Sequence, residues 1–279
     1  MLLLHNEGMY ETVKLEREGQ VTWLTLNCPA KRNALNPTLN AEMVRALDEV
    51  AADRETNVLV IAGAGEAWCS GMDLREYFRA NDNDEAAFMR ARWDTRTWTY
   101  HKLRFHPKIT IAAVNGWCFG GGFQPLISCD LAIAAEEAKF GLSEVNWGII
   151  PGGTVTRDVA EVMGYRDALY YILTGKTFDG RRAKELGLVN EVVPLAQLRA
   201  AVMALAADLN KLNPVVLRSA KEAFKFSLTM DYDQSYDYLE AKMMQMRHRD
   251  PEDGRNTGMS QFLDEKAIRP GLEPYKRPV

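Results

Sequence analysis

Three stretches of the chain concentrate residue types that can do chemistry. The first, Gly65-Glu66-Ala67-Trp68-Cys69-Ser70-Gly71-Met72-Asp73-Leu74, sets small residues and glycine after an apolar run. Such a stretch lets a backbone pass close to a ligand, and a helix opening just beyond it leaves its first N–H groups free. The second, Asn115-Gly116-Trp117-Cys118-Phe119-Gly120-Gly121-Gly122-Phe123, holds three successive glycines. These cost entropy in any regular element. A glycine turn opening a helix over Phe123 to Ser128 would aim backbone amides at an anion or a developing oxyanion. Tight helix–strand packing without a ligand is the other reading of each glycine stretch, and two of them in one body sharpen the case for a two-amide oxyanion hole. The third, Phe140 to Gly153, carries one carboxylate, Glu144, in a mostly apolar, glycine-bounded run. There it is either an exposed loop charge or a desolvated acid–base with a raised pKa.

Elements must bring these stretches together, and the apolar periodicity supplies them. Val13 to Leu26 alternates and turns at Glu18-Gly19, which predicts a β-hairpin. Asn36-Pro37 predicts a helix start, with Leu39, Met43, Leu47 and Val50 as its buried stripe. Short apolar runs at Val58–Ala62, Ile109–Val114, Leu131–Ala135 and Leu188–Val193 predict buried strands, the last after a helix closed by Gly187. Strands alternating with helices indicate an α/β class. Beyond Pro194 only helices are expected, with Asn213-Pro214 and Asp250-Pro251 as starts and Asp231 as a cap between them. The pattern divides into a strand-rich body over 1–200 and a helical part over 201–279.

Composition narrows the function classes. The 279 residues are 47% hydrophobic, enough to bury a core. No run approaches the ~20 apolar residues of a membrane span. Met1-Leu2-Leu3-Leu4 is too short for a signal sequence, and Cys28, Cys69, Cys118 and Cys129 form no metal-ligand pattern. The expectation is a cytoplasmic enzyme with free thiols, no metal and no membrane association. A net charge of −4 argues against nucleic acid, though not against a local anion pocket. Several prominent residues read as structural: Asp73 fixing a helix head, Met243, Met244 and Met246 in packing, and His5, His101, His106 and His248 without a partner pattern. Arg247-His248-Arg249 reads as a solvated helix end. Trp93 and Trp98 could line a pocket, with helix packing the favoured reading.

The three stretches resemble the crotonase (enoyl-CoA hydratase/isomerase) superfamily, in matching order from about residue 21 to about 266. The wording Gly-Met-Asp-Leu-Arg-Glu-Tyr-Phe (71–78), Asn-Gly-Trp-Cys-Phe-Gly-Gly-Gly-Phe (115–123) and Gly-Leu-Ser-Glu-Val-Asn-Trp-Gly-Ile (141–149) is similar to its hydroxycinnamoyl-CoA hydratase-lyase branch. The resemblance implies a spiral of repeated ββα units with a C-terminal helical oligomerisation region, assembled as a homotrimer or a hexamer of paired trimers. It implies an acyl-CoA thioester substrate, with coenzyme A part of substrate and product and no prosthetic group.

It also implies site residues. The backbone N–H groups of Met72 and Gly121 would polarise the thioester carbonyl, and Glu144 would be the acid–base. Generic hydratases carry a second glutamate where this chain has Gln124, which can orient water or substrate but not exchange a proton near neutral pH. Tyr77, five residues after Met72 and about one and a half helical turns on, would face the same pocket and meet a phenol. The branch's second phenol-binding tyrosine falls at Glu240, with Tyr236 and Tyr238 close by. Lys31 and Arg32 would run along the CoA phosphates, Ser143 and Trp147 would touch the thioester and pantetheine arm, and Phe262 and Lys266 would cover the coenzyme. The reaction implied is hydration of a 4-hydroxycinnamoyl-CoA and retro-aldol cleavage to an aromatic aldehyde and acetyl-CoA. The alternatives are a plain enoyl-CoA hydratase, disfavoured by Gln124, and a binding protein on the same scaffold, disfavoured by the retained Glu144.

Overall fold

Alternating residues build the first hairpin of the computed structural model, which describes residues 9–269 and 271–277; His5 and the Met1–Leu4 run lie outside them. Strand β1 (Val13–Glu18) pairs antiparallel with β2 (Val21–Leu26), from Val13 opposite Leu26 to Glu18 opposite Val21. Helix α1 (Pro37–Ala52) follows, capped by the Asn36 side chain on the Leu39 amide, and buries Leu39, Met43, Leu47 and Val50 as expected. β3 (Val58–Gly63) then runs parallel to β2.

From β3 the chain repeats one figure. β3 is followed by β4 (Ala67–Cys69) and, further on, by helix α2 (Glu85–Arg96). β5 (Ile109–Val114) is followed by β6 (Trp117–Phe119) and α3 (Phe123–Ser128). β7 (Leu131–Ala135) is followed by β8 (Lys139–Gly141) and α4 (Val155–Val162). The remaining elements are α5 (Tyr165–Thr174), β9 (Thr177–Asp179), α6 (Gly180–Glu185), β10 (Glu191–Val193), α7 (Leu198–Asn210), α8 (Pro214–Ser227), α9 (Tyr232–Arg249) and α10 (Gly254–Leu263). The first strand of each pair joins a six-stranded sheet of order β1-β2-β3-β5-β7-β10, and the second joins a four-stranded sheet of order β4-β6-β8-β9. This is the α/β spiral of ββα units that the sequence resemblance implied.

The repeat decides where the three chemical stretches end up. β4, β6 and β8 lie side by side and parallel, so their C-terminal ends emerge at one edge. Met72 follows β4, Gly121 follows β6, and Glu144 follows β8. Each occupies the same station of its repeat.

The chain divides into two compact units. One runs through His106 and resumes over Thr110–Met203; the other comprises Pro107–Ile109 and the chain from Ala204 onward. The first holds the apolar core, with Trp68, Trp98, Phe123 and Phe140 fully buried. Trp98 donates to Asn40 Oδ1 at 2.7 Å, and His106 Nε2 lies 3.2 Å from the Leu47 carbonyl; both are core residues. The second unit packs α8 against α9. Its tail is tied down by Arg277, whose Nη1 donates to the carbonyls of Asn210 and Leu212, both at 3.1 Å.

Two sequence expectations change. Asp250-Pro251 does not open a helix: Asp250 Oδ2 accepts from the Gly254 amide at 2.8 Å, but the chain turns once more through Asp253, at φ 44°, before α10 begins at Gly254. The fourth predicted strand shortens to Glu191–Val193, because Leu188 still closes α6 through its bond to the Ala183 carbonyl at 2.9 Å. Among the described residues no single helix is long and apolar enough to cross a membrane.

Candidate active site

The Met72 backbone is held by its neighbours. Leu35 N–H donates to the Gly71 carbonyl at 2.8 Å and Asp73 N–H donates to the Leu35 carbonyl at 3.1 Å, a parallel bridge between Leu35 and Met72. In such a bridge the intervening residue's own N–H points to the other side of the strand, so the Met72 amide faces away from Leu35. The partner segment is anchored by Asn33, fully buried, which donates to the carbonyls of Ala64 at 2.9 Å and Ala67 at 2.7 Å. Asp73 accepts from the amides of Arg75 and Glu76, at 2.9 and 2.8 Å, and so fixes the helix head as its position suggested.

Gly121 lies in the tight turn Gly120–Gly122 that opens α3, where first-turn N–H groups lack helical acceptors. Close approach of the two segments is what the glycines allow. A Cβ on Gly71, at φ +91°, would sit 2.7 Å from the Phe119 carbonyl oxygen and 3.2 Å from the Gly121 nitrogen. Two amide-bearing backbones therefore run against each other.

Glu144 opens a short helical turn, Glu144–Trp147, ended by Gly148 at φ 74°. A Cβ on Gly120 would lie 3.0 Å from Glu144 Oε1, so the carboxylate rests against the glycine turn. Its Oε2 is buried and has no partner among the described residues. Burial pushes its pKa up, partly offset by a hydrogen bond from its own backbone. Phe140 and Phe178 stack 5.4 Å apart and nearly parallel, and Phe123 meets both edge-on. These rings tie the head of α3 to β8, hence Gly121 to Glu144.

All three open on one cavity of about 1130 Å³, large enough for an organic ligand. Of the residues named from the sequence, Arg32, Met72, Tyr77, Gly121, Gln124, Ser143, Glu144 and Trp147 line it. Lys31 does not; its ammonium pairs with Glu76 and lies 3.8 Å from Asp73. Arg32 donates to Glu66 at 2.7 Å and its guanidinium stands 4.9 Å over the Trp117 ring. Tyr238 and Glu240 sit on α9 in the second unit, and neither lines the cavity. Phe262 and Lys266 also belong to that unit. Trp93, favoured as a packing residue, is 64% exposed and lines the cavity instead.

One wall escaped the sequence reading. Phe88, Arg92, Arg96 and Tyr100 line the cavity at four-residue spacing, an aromatic–arginine stripe on one helical face. Arg92 stands 5.5 Å from the Phe88 ring centroid, and Phe88 and Tyr77 are in edge contact at 6.0 Å. Tyr77 is nearly buried; burial raises its pKa, while the Thr95 hydroxyl and the Arg92 charge pull it down. The arrangement can polarise a carbonyl with two amides, exchange a proton through one carboxylate and hold an aryl group against Tyr77.

The family model for enoyl-CoA hydratase/isomerase matches residues 16–269, and the chain belongs to that family. More particularly, it is 54% identical to hydroxycinnamoyl-CoA hydratase-lyase of Pseudomonas fluorescens, over 97% of this chain and 99% of that protein. It is 35% identical to 2,3-dehydroadipyl-CoA hydratase of Escherichia coli (strain K12), over 76% of this chain and 81% of that one. Among solved structures, an enoyl-CoA hydratase from Bacillus anthracis superposes with a TM-score of 0.83 at 30% identity, covering 93% of this chain and 98% of the other.

Proposed function

We propose that the chain hydrates the enoyl double bond of a 4-hydroxycinnamoyl-CoA (feruloyl-, coumaroyl- or caffeoyl-CoA) and cleaves the β-hydroxy thioester to an aromatic aldehyde and acetyl-CoA. The near-full-length 54% identity to a hydroxycinnamoyl-CoA hydratase-lyase carries the reading. The one-carboxylate cavity agrees with it.

In the hydration step Glu144 takes a proton from water as the oxygen attacks Cβ. Charge builds on the thioester oxygen, where the Met72 and Gly121 amides receive it; each such donor contributes about 3 kcal/mol in the transition state. The protonated Glu144 then delivers its proton to Cα. In the cleavage step Glu144 takes the proton of the β-hydroxyl, a C=O bond forms at Cβ, and the Cα–Cβ bond breaks. The electron pair passes to the acetyl-CoA enolate, which the same two amides hold until Cα is protonated from Glu144. One carboxylate serves both halves because its Oε2 has no partner among the described residues and burial raises its pKa, so that it can both take a proton and give it back.

Tyr77, with the Arg92 guanidinium nearby, receives the phenol. Arg32 beside Trp117 meets the coenzyme phosphates, with Lys31 in support, and Ser143 and Trp147 flank the pantetheine arm. Tyr238 and Glu240 are the remaining candidates for the phenol. Coenzyme A arrives and leaves with substrate and product, and no prosthetic group is invoked. A cytoplasmic setting fits four cysteines that all carry free thiols.

Assembly as a homotrimer or a pair of trimers, through residues 201–279, belongs to the same reading. It is supported by α9, where Tyr232, Tyr236, Leu239 and Met243 share one helical face and are each at least 40% exposed.

Incubation with feruloyl-CoA tests the function. Vanillin plus acetyl-CoA is the expected outcome. Hydrated thioester without aldehyde would reduce the chain to a plain hydratase, and no turnover on any enoyl-CoA would overturn both.

A further inference from the structure

Gln124 is 7% exposed, lines the cavity, and has its amide orientation fixed from behind. Its Nε2 donates to Thr154 Oγ1 at 2.9 Å. The Thr154 hydroxyl donates in turn to Asp158 Oδ2 at 2.6 Å. Asp158 is 2% exposed and its Oδ1 lies 3.5 Å from the Arg104 guanidinium, which also holds Glu161 at 3.1 Å. Burial raises the Asp158 carboxyl, while Thr154, Arg104 and Arg157 oppose that and Glu161 adds to it.

The Arg104 guanidinium beside Asp158 favours its carboxylate form, which only accepts hydrogen bonds. With its one proton committed to Asp158, the Thr154 oxygen offers only lone pairs to its other neighbour. That neighbour must be a donor, so the amide nitrogen of Gln124 faces Thr154 and its carbonyl cannot. A flipped amide would oppose two acceptors with no proton between them. Oε1 is therefore left free of protein donors among the described residues. A Cβ on Gly153 would lie 3.1 Å from it, so the glycine keeps that oxygen uncovered. Gly120, against which the Glu144 carboxylate rests, lies in the turn that opens α3, Gln124 lies in the first turn of α3, and all three residues line the same cavity.

We propose that Thr154 and Asp158 are positioning residues that hold the Gln124 carbonyl oxygen toward the reacting water. The water then gives its proton to Glu144 and a hydrogen bond to Gln124 Oε1, and turns a lone pair toward Cβ. This rests on the hydratase reading above. It makes Gln124 a hydrogen-bond acceptor oriented through Thr154 and Asp158.

The test is hydration of feruloyl-CoA by the wild type, Gln124→Ala, Thr154→Val, Thr154→Ser, Asp158→Asn and the double variant Gln124→Ala/Thr154→Val, each with its melting temperature. Thr154→Val is expected to lower kcat about tenfold with KM changed less than about twofold, and Thr154→Ser to stay within about twofold of the wild type. Asp158→Asn keeps the volume but can donate to Thr154, turning the hydroxyl proton toward Gln124, and should cost the same kcat even if Thr154→Val folds poorly. Because Thr154 acts through Gln124, the double variant should be no slower than Gln124→Ala alone. Losses that multiply in the double variant, or a Thr154→Ser as impaired as Thr154→Val, overturn the proposal while leaving the hydratase reading intact. A wild type that hydrates nothing removes both.

Discussion

Removing the Glu144 carboxyl separates what the residue does for the reaction from what it does to the fold. Glu144→Gln should abolish both hydration and cleavage, by about 10³-fold or more in kcat, whereas Gln124→Ala should lose only on the order of tenfold. Equal loss in both would sink the one-carboxylate mechanism. Turnover of the wild type should fall as pH drops through the raised Glu144 value, since only the ionised form is a base. The folded carboxyl holds its proton more tightly than the unfolded one. Stability contributed at this position is thus greatest below the unfolded value of about 4.3, declines as pH rises through the window up to the folded value, and stays lower above it. Glu144→Gln should therefore raise the melting temperature at neutral pH, with the gain vanishing in acid; a variant less stable than the wild type at pH 7 would contradict this. That Glu144 mattered was legible from one charge in a glycine-bounded run. Its unpartnered Oε2 was not, because that depends on what Gly120, distant in sequence, leaves open.

Elements show where sequence patterns inform and where they run out. β2, β3, β5 and β7 were legible because five or six residues are enough to display a buried run. β4, β6, β8 and β9 have three residues each, too few to show a period, and their pairing is set by chain folding across tens of residues. Caps were read well at Asn36, Asn213 and Asp231, where one side chain bonds a backbone amide two or three residues away. Asp231→Ala should cost about 1 kcal/mol in denaturant unfolding of α9's unit, since it removes the carboxylate that accepts from the Gln234 amide and leaves only half of the capping box. The glycine turn makes a sharper contrast. Gly120→Ala puts a methyl 3.0 Å from the Glu144 carboxylate at a positive φ, whereas Gly152 has open space around it. Gly120→Ala should lose at least about tenfold in kcat, and Gly152→Ala should stay near wild type in the same assay.

At the scale of the molecule, a face carrying Tyr232, Tyr236, Leu239 and Met243 in contact with water is not a stable end state for one chain. Sedimentation should find a trimer or hexamer, and Tyr236→Glu with Met243→Glu should shift it toward smaller species; a monomeric wild type would remove the proposed role of residues 201–279. The α/β class was legible in the alternation of apolar strands with helices, and the ββα spiral only through the family resemblance of the three glycine-bounded stretches. The cavity's wall was not, because the eye follows apolar stripes and this one interleaves arginine with aromatic residues. That wall, Leu74 to Tyr100, is one contiguous segment between β4 and β5 that includes α2, while Met72, Gly121 and Glu144 follow the short strands β4, β6 and β8. Reactivity and recognition are thus encoded in separable pieces of the chain. Such a layout lets descent with modification rewrite one contiguous cassette of some thirty codons, trading one acyl group for another, while the inherited catalytic frame stays untouched.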